Sequence, residues 1–339
     1  MRFSILPSLA ALLSVSAAHP GHDLSEEIAE RQAFKAVSRR SDLSHCASKL
    51  KARGVQRRNV LRRAAMANAL KKRTLEDDLA TDHNQTSSGY TTSTPASTLF
   101  AGENSCLLTP EVTDGPYYVS GEYVRRDIVE DQTGVPLTLD YQVVDVDTCE
   151  PVPSVYLEIW HCNATGVYSG VENQAGLDTT FLRGIQETDA DGVAQFESIF
   201  PGHYSGRATH IHVLVHANAT LLSNSTLGHD TTASHVGQAF FDQDLISQVE
   251  AVSPYTSNEQ QLTENSADDI LAEEAATDGV DPLMEYSLLG SDVSDGIFAW
   301  MAFGMNTTYA ASAAAAAILY EDGGVTNPDG PPSTPPNGL

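Results

Sequence analysis

The stretch Ala208-Thr209-His210-Ile211-His212-Val213-Leu214-Val215-His216 is the part of the chain that decides the fold. In a β-strand, successive side chains point to opposite faces, so Ile211, Val213 and Val215 are expected to face a core while the histidines share the other face. Two imidazoles spaced two residues apart on one strand can bind a single metal ion. The stretch therefore predicts a strand on which His210 and His212 either bind one metal ion or are simply two surface histidines, and the stretch alone does not choose between these alternatives.

Strand signals continue upstream of this stretch. Runs of β-favouring residues cover 135–146, 155–160 and 193–200, and Asp189-Ala190-Asp191-Gly192 marks a hairpin turn before the last of them. Short strands at this spacing, joined by long loops, predict an all-β sandwich or barrel.

Other motifs precede the histidine strand in a fixed order. They are Asp114-Gly115-Pro116-Tyr117-Tyr118, Trp160, Gly166-Val167-Tyr168, Arg183-Gly184, the turn at 189–192, Pro201-Gly202-His203-Tyr204, and Arg207 three residues before His210. Over residues 106–245 the chain thereby resembles the intradiol ring-cleavage dioxygenases, most closely their secreted fungal members. The resemblance implies a β-sandwich of the intradiol dioxygenase type.

The resemblance also implies a metal centre. The iron ligands of the family are two tyrosines and two histidines, which correspond here to Tyr168, Tyr204, His210 and His212. Phenolate is a hard anionic ligand that a trivalent ion can hold deprotonated, so this set favours Fe(III) over zinc or copper(I). The expected cofactor is a non-haem Fe(III) ion.

Further roles follow from the resemblance. Tyr204 is expected to act as a base as well as a ligand, and Arg207 to stabilise negative charge on the substrate. The expected substrate-binding residues are Arg207, Gln238, Pro116 and Thr113. Relative to the family pattern, the loop from Tyr204 to His210 is short and the segment before Gln238 is extended.

The function implied by the resemblance is cleavage of catechol-type aromatic rings between the two hydroxylated carbons, with O2, to give muconate-type diacids. Catechol, hydroxyquinol, protocatechuate and lignin-derived diols all remain open as substrates, and the oligomeric state is open. The alternative is a non-catalytic β-sandwich that binds cell-wall material or aromatic compounds. The complete ligand set favours the enzyme.

The N-terminus predicts secretion. Residues 1–18 combine a basic residue, an apolar run and Ser16-Ala17-Ala18, which is the pattern of a signal peptide cleaved before His19. No later stretch offers the roughly 20 uninterrupted apolar residues of a membrane-spanning helix. Five Asn-x-Ser/Thr acceptors agree with a secretory route, at Asn84, Asn163, Asn218, Asn224 and Asn306. We expect a secreted, extracellular glycoprotein.

Charge divides the chain into two parts. Residues 1–73 hold 15 of the 19 Lys and Arg residues against 5 of the 45 acids, whereas the remainder holds 4 Arg against 40 acids. So acidic a body argues against nucleic acid or anionic membranes as partners.

Residues 19–73 have helical composition and end in Lys71-Lys72-Arg73, which favours a basic pro-segment removed at a dibasic site. The alternative is a helix that stays attached to the acidic domain.

Composition also sets the expected domain boundaries. They are a Ser/Thr-rich linker at 74–100, the β-sandwich at 101–255, and an acidic, Ala-rich extension with a partly disordered Pro/Gly-rich tail at 256–339. Within that extension, short helices are expected at 268–276 and 310–319, and the disordered tail is expected from Gly323 onward.

Several cysteines and histidines fall outside the expected ligand set. Cys106 could form a disulfide with Cys149 or with Cys162, and the sequence does not choose between them. His216 shares the metal-facing side of its strand and is expected next to the metal ligands or at the surface. His161 is expected to be structural.

Overall fold

The structure of the protein is a computed structural model that describes residues 75–101, 105–107, 117–216, 219–228, 233–276, 280–308 and 313–330, together with residue 32. The signal peptide, the rest of the pro-segment 19–73, and the positions Thr113, Pro116 and Asn218 lie outside the described residues. Within the described ranges, no helix has both the length and the apolar character that a membrane crossing requires.

Strands dominate the described part of the chain. They are β1 (Ser105–Leu107), β2 (Val119–Ser120), β3 (Pro136–Asp145), β4 (Tyr156–Trp160), β5 (Arg183–Glu187), β6 (Val193–Ile199), β7 (His210–His216), β8 (Ala233–Phe240), β9 (Glu285–Leu288), β10 (Ile297–Met305), β11 (Ala317–Tyr320) and β12 (Gly323–Thr326). The α-helices are short: α1 (Leu75–Leu79), α2 (Ala96–Leu99), α3 (Gln243–Glu250) and α4 (Asp269–Ala275).

Two sheets form the sandwich. The first has the order β1-β10-β3-β6, with β9 paired to β10, and the second has the order β5-β4-β7-β8. All neighbours in the second sheet are antiparallel, whereas β10 runs parallel to both β1 and β3. A third, small sheet joins β11 to β12 and to β2. The predicted all-β sandwich is confirmed.

The hydrophobic core lies between the two large sheets. Leu139 and Tyr141 of β3 share one buried cluster with Ile211, Val213 and Val215 of β7. Because side chains alternate along β7, this burial turns the histidines of the same strand to the opposite face, as the sequence predicts. The core therefore fixes the direction in which the candidate ligands point.

The strands predicted from β-favouring runs are confirmed, and residues 189–192 form a turn. The turn is not that of a hairpin, because it joins β5 of the second sheet to β6 of the first. Runs 135–146, 155–160 and 193–200 correspond to β3, β4 and β6 with ends that differ by at most one residue. The expected helix at 268–276 corresponds to α4.

The helix expected at 310–319 and the disordered tail expected from Gly323 are wrong for the described residues. Residues 317–320 form β11, which pairs with β12 and with β2. The alanine-rich run has high helix propensity, but Ala317 and Leu319 alternate toward a buried cluster with Val119 of β2. Tertiary pairing thus overrides local propensity.

The domain boundary expected after residue 255 is also wrong. β10 lies in the middle of the first sheet, and eight of its nine residues are buried. A run that is apolar on both faces is typical of an internal strand with parallel neighbours. Residues beyond 255 therefore complete the sandwich rather than extend from it.

The expected linker at 74–100 is ordered and packed where the structure describes it. Leu99 and Phe100 share a buried cluster with Phe298 and Trp300 of β10. His83 is buried, and its ring donates hydrogen bonds to Asp242, next to α3, and to Asp281. Composition cannot predict such contacts, because they join positions as much as about 200 residues apart in the chain.

A core substitution in β10 tests whether this strand belongs to the folding unit. Phe303 is fully buried and packs its ring 5.5 Å from that of Tyr141. We expect Phe303→Ala to lower the free energy of unfolding by about 3–5 kcal/mol, because it leaves a cavity in the core. Denaturant unfolding measures this. The free energy of unfolding of the exposed control Leu289→Ala should stay within about 0.5 kcal/mol of wild type. An equally small effect at Phe303 would contradict the conclusion that β10 is part of the sandwich.

The His83 contacts predict a pH-dependent contribution to stability. Burial alone lowers the pKa of His83, but hydrogen bonds to Asp242 and Asp281 outweigh it and raise the pKa from 6.5 to about 10. The contribution is complete below the unfolded-state pKa and is lost as the pH rises through the folded-state pKa. We expect His83→Gln to cost about 3–5 kcal/mol at about pH 6, and the difference from wild type to shrink by about pH 10. Denaturant unfolding across this range measures it, with Phe303→Ala as a control whose cost should not depend on pH.

Candidate active site

The four expected metal ligands converge at one end of β7. His210 Nε2 lies 3.1 Å from His212 Nε2 and 3.4 Å from the hydroxyl of Tyr204. The ring of Tyr168 lies 5.7 Å from that of Tyr204 and 6.3 Å from that of His212, measured between centroids. All four side chains are buried. The structure thus brings together two phenol oxygens and two imidazole nitrogens.

The loops that carry the two tyrosines approach each other closely at two glycines. At Gly166, whose φ is +77°, an added Cβ would lie 2.2 Å from the carbonyl oxygen of His203. At Gly202 an added Cβ would lie 2.5 Å from the carbonyl oxygen of Ala164. Only glycine tolerates such contacts, so these two positions allow Tyr168 to reach Tyr204.

Two contacts orient the imidazoles. His210 Nδ1 donates a hydrogen bond to the carbonyl oxygen of Ala208 at 2.6 Å, which leaves the lone pair on Nε2. The indole of Trp160 stacks on the ring of His212 at 4.7 Å, with the two planes only 2° from parallel. Burial lowers the pKa of His210 to about 3 and holds that of His212 well below its usual range. Both rings are therefore neutral, which is the form that binds metal.

The phenols are protonated when no cation is near. Burial raises the pKa of Tyr168 and of Tyr204 well above the ordinary value, and it raises the pKa of neighbouring Tyr117 to about 12. Tyr117 stacks on Tyr168 at 4.6 Å between ring centroids. Among the described residues, the buried hydroxyl of Tyr168 has no hydrogen-bond partner. A buried polar atom in this condition is costly unless something else binds it.

A trivalent cation fits this donor set. It would bind the orphaned oxygen of Tyr168 and the facing lone pairs of His210 and His212, and it would offset the cost of ionising buried phenols. The structure describes no group of three or more His, Cys, Asp or Glu residues that could bind a metal. A four-ligand site on β7 therefore requires the tyrosines.

The small C-terminal sheet closes one side of the site. Ala315, just before β11, belongs to the same buried cluster as Tyr117, Tyr168 and Tyr204. The backbone N–H of Ala316 donates to the carbonyl oxygen of Tyr118 at 2.9 Å. Residues that the composition assigned to an extension therefore line the candidate site.

Arg207 and Gln238 are brought together beside the histidines. Arg207 is buried, and its Nη2 donates to Gln238 Oε1 at 2.5 Å. Gln238 lies opposite His212 in the register of β7 with β8. The extended segment before Gln238 thus does not displace it from the site.

Sequence reasoning missed Asp268. Its Oδ2 accepts from Arg207 Nε at 2.9 Å, and its Oδ1 accepts from two backbone N–H groups at the start of α4. Burial raises the pKa of Asp268, but Arg207 and the backbone N–H of Leu271 outweigh it and keep that pKa below its usual range. The only sequence signal is that an Asp is the first residue of the predicted helix 268–276, which indicates an N-cap and no more.

The structure also tests the predictions for His216, His161 and the cysteines. His216 Nε2 lies 2.6 Å from the carboxylate of Glu158, and both residues are buried, so His216 is not at the surface. His161 is buried, with its Nδ1 donating to the carbonyl oxygen of Cys162 at 2.8 Å, as a structural residue would be. Cys149 is disulfide-bonded and Cys162 is a buried free thiol, which rules out pairing of Cys106 with Cys162.

The fold and site were compared with solved structures. An intradiol ring-cleavage dioxygenase from Tetranychus urticae is 30% identical and superposes with a TM-score of 0.50, over 60% of this chain and 97% of the relative. The chain belongs to the intradiol ring-cleavage dioxygenase family.

Sequence comparisons agree with this family. The family model described as Dioxygenase matches residues 113–226, a range that contains the four expected ligands and Arg207 but ends before Gln238. Catechol 1,2-dioxygenase 1 of Acinetobacter lwoffii is 28% identical over 134 residues, which are 33% of this chain and 43% of the relative. A catechol 1,2-dioxygenase of a Pseudomonas species is 33% identical over 102 residues, which are 28% of this chain and 32% of the relative. The chain thus spans less than half the length of these curated intradiol dioxygenases.

Proposed function

We propose that the protein binds Fe(III) through Tyr168, Tyr204, His210 and His212 and uses O2 to open catechol-type rings between the two hydroxylated carbons. The observation that carries the proposal is the convergence of two buried phenols and two neutral imidazoles on one point. A hard phenolate suits a trivalent ion better than it suits zinc or copper(I). The curated relatives are named catechol 1,2-dioxygenases, which agrees with this reaction class.

The two phenols have different surroundings. When bound, Fe(III) supplies the positive charge that keeps phenols ionised and makes a bound catecholate reactive toward O2. Burial raises the pKa of Tyr204, but the charge of Arg207 acts in the opposite direction. Burial raises the pKa of Tyr168 as well, and the neighbouring Tyr204 and Tyr117 raise it further. The resemblance to the family assigns to Tyr204, once it is ionised, the role of the base that takes a proton from a catechol hydroxyl.

Arg207 supplies the positive charge on the substrate side. Its guanidinium is buried beside Gln238, where a low dielectric strengthens its field. Negative charge that develops on the opened ring is stabilised by such a fixed donor. Thr113 and Pro116 remain proposed substrate-binding residues, and the substrate class is an aromatic diol with adjacent hydroxyl groups.

Removing one hydroxyl tests the role of Tyr204. We expect Tyr204→Phe to retain part of its iron and to lose about 100-fold or more in kcat, because it removes a ligand and a base together. Catechol consumption and bound iron measure the two effects separately. Tyr141→Phe is the matched control: its hydroxyl is buried in the core beside the Met284 sulfur, 3.8 Å away, so kcat should be unchanged. A fully active Tyr204→Phe would refute the assignment.

The first experiment on the whole proposal uses purified protein loaded with ferric iron. A visible tyrosinate-to-iron charge-transfer band that shifts on anaerobic addition of catechol, followed by a muconate product on admission of O2, is the expected result. A coloured protein that turns over no diol would contradict the reaction. A protein that takes up no iron but still binds aromatic compounds would favour the second candidate, a non-catalytic binding sandwich.

We also propose that the protein is secreted and glycosylated. The signal-peptide pattern at residues 1–18 supports export. Among the acceptors, Asn224 is exposed, whereas the side-chain nitrogen of Asn163 donates to Gln132 at 3.0 Å and the residue is only partly exposed.

Mass spectrometry of the secreted protein tests this proposal. We expect a glycan at Asn224 and none at Asn163, because a glycan needs a solvent-exposed amide nitrogen. The same sample gives the N-terminus. A start at Thr74 supports removal of the basic segment, a start at His19 supports its retention, and an intact Met1 with no glycan contradicts secretion.

A further inference from the structure

One buried carboxylate joins three parts of the candidate site. Asp268 Oδ2 accepts from Arg207 Nε at 2.9 Å and from the backbone N–H of Ala208 at 2.7 Å. Its Oδ1 accepts from the backbone N–H groups of Ile270 and Leu271, both at 2.9 Å, and so caps α4. Both oxygens are therefore used, and Asp268 is only 2% exposed.

We propose that Asp268 is the positioning residue of this active site, holding the guanidinium of Arg207 toward the substrate and anchoring the peptide that orients His210. The inference rests on the proposed function and adds to it a residue from beyond the matched range 113–226. Asp268 is a positioning residue rather than a catalytic one because it acts through Arg207 and Ala208.

The guanidinium is held from two directions. Its Nε bonds to Asp268, and its Nη2 bonds to Gln238 on β8. A planar guanidinium with two neighbouring nitrogens fixed cannot rotate about its last bond, so its orientation is set before substrate arrives. The buried negative charge also balances the positive charge of Arg207, which on its own would be expensive to bury.

The second path runs through one residue of backbone. The N–H of Ala208 donates to Asp268, and the carbonyl oxygen of Ala208 accepts from His210 Nδ1 at 2.6 Å. That hydrogen bond determines which nitrogen of His210 faces the other ligands. Asp268 thus fixes both the substrate-side charge and one ligand ring from a single point.

Substitution by asparagine separates the two roles of Asp268, which are to cap α4 and to accept hydrogen bonds from Arg207 and Ala208. In Asp268→Asn the amide oxygen can still cap α4, since Asn is as good an N-cap as Asp. The amide nitrogen must then face Arg207 Nε and the Ala208 N–H, where donor meets donor. We expect a loss of about 10- to 100-fold in kcat/KM for catechol, and a lowered unfolding temperature because the charge of buried Arg207 is no longer balanced. The value of kcat/KM is therefore measured below that temperature, where the variant is folded.

The matched control is Asp292→Asn. Asp292 is also an N-cap Asp, accepting from Ser294 N at 2.8 Å at the start of the 3-10 turn Val293–Asp295. This change should leave kcat/KM unaltered. A general penalty for Asp→Asn at a cap would instead appear equally in both variants, and that result would overturn the proposal.

A double-mutant cycle shows whether Asp268 acts through Arg207. If it does, Asp268→Asn causes a smaller further loss of kcat/KM in an Arg207→Ala background than in wild type, and the loss that remains reports the path through Ala208 and His210. Fully additive losses would mean that Asp268 does not act through the guanidinium. An iron-loaded wild type that cleaves no catechol would refute the proposed function. It would not test the contacts of Asp268, which are measured separately in iron-free protein.

The geometry has a readout that needs neither iron nor turnover. In 15N-labelled, iron-free protein, the Nε–H of an arginine bonded to a buried carboxylate exchanges slowly with water. Buried Arg183, whose Nε donates to Ser169 Oγ, should give a protected resonance in every variant. We expect a second one, from Arg207, that disappears in both Asp268→Asn and Arg207→Lys and persists in Asp292→Asn. Its persistence in Asp268→Asn would overturn the inference whatever the enzyme does.

Discussion

The site depends on the alternation of side chains along β7. Ile211, Val213 and Val215 are buried between the two sheets, and their burial forces the histidines of the same strand to the other face. A shift of β7 by one residue against β4 would move every histidine into the core, at a high cost in unpaired polar groups. The hydrophobic core therefore does more than stabilise the fold: it fixes the direction of His210 and His212, the two proposed histidine ligands.

Burial makes the site neutral by default. The imidazoles have lowered pKa values and the phenols raised ones, so none of the four side chains carries a charge on its own at neutral pH. A site of this kind is suited to a cation that brings its own charge and is compensated by phenolates. The Arg207–Asp268 pair next to it is internally balanced, so it adds directional hydrogen bonds without a large net charge.

Patterns in the sequence predicted the structural features that depend on residues close together in the chain. Alternation identified β7 and the direction of His210 and His212, and turn residues placed β6, because those features depend on neighbours in sequence. Asp268, His83 and β10 were missed because each is defined by a partner far along the chain: Asp268 is 61 residues from Arg207, and His83 is 198 residues from Asp281. The alanine-rich run that leads into β11 favours a helix by propensity, and propensity says nothing about an available strand edge at β2.

The central position of β10 determines when in synthesis the site can exist. All four proposed metal ligands precede residue 213, yet the sheet that packs against β7 is completed by a strand at 297–305, whose Ile297 pairs with Leu137 across 160 residues of chain. Topologies with such distant pairings fold slowly, and their early strands stay open to wrong partners in the meantime. A ribosome must therefore release almost the whole polypeptide before β3 finds its parallel neighbour. The part of the chain that carries the proposed ligands can therefore complete its packing only after the last third of the chain has been synthesised.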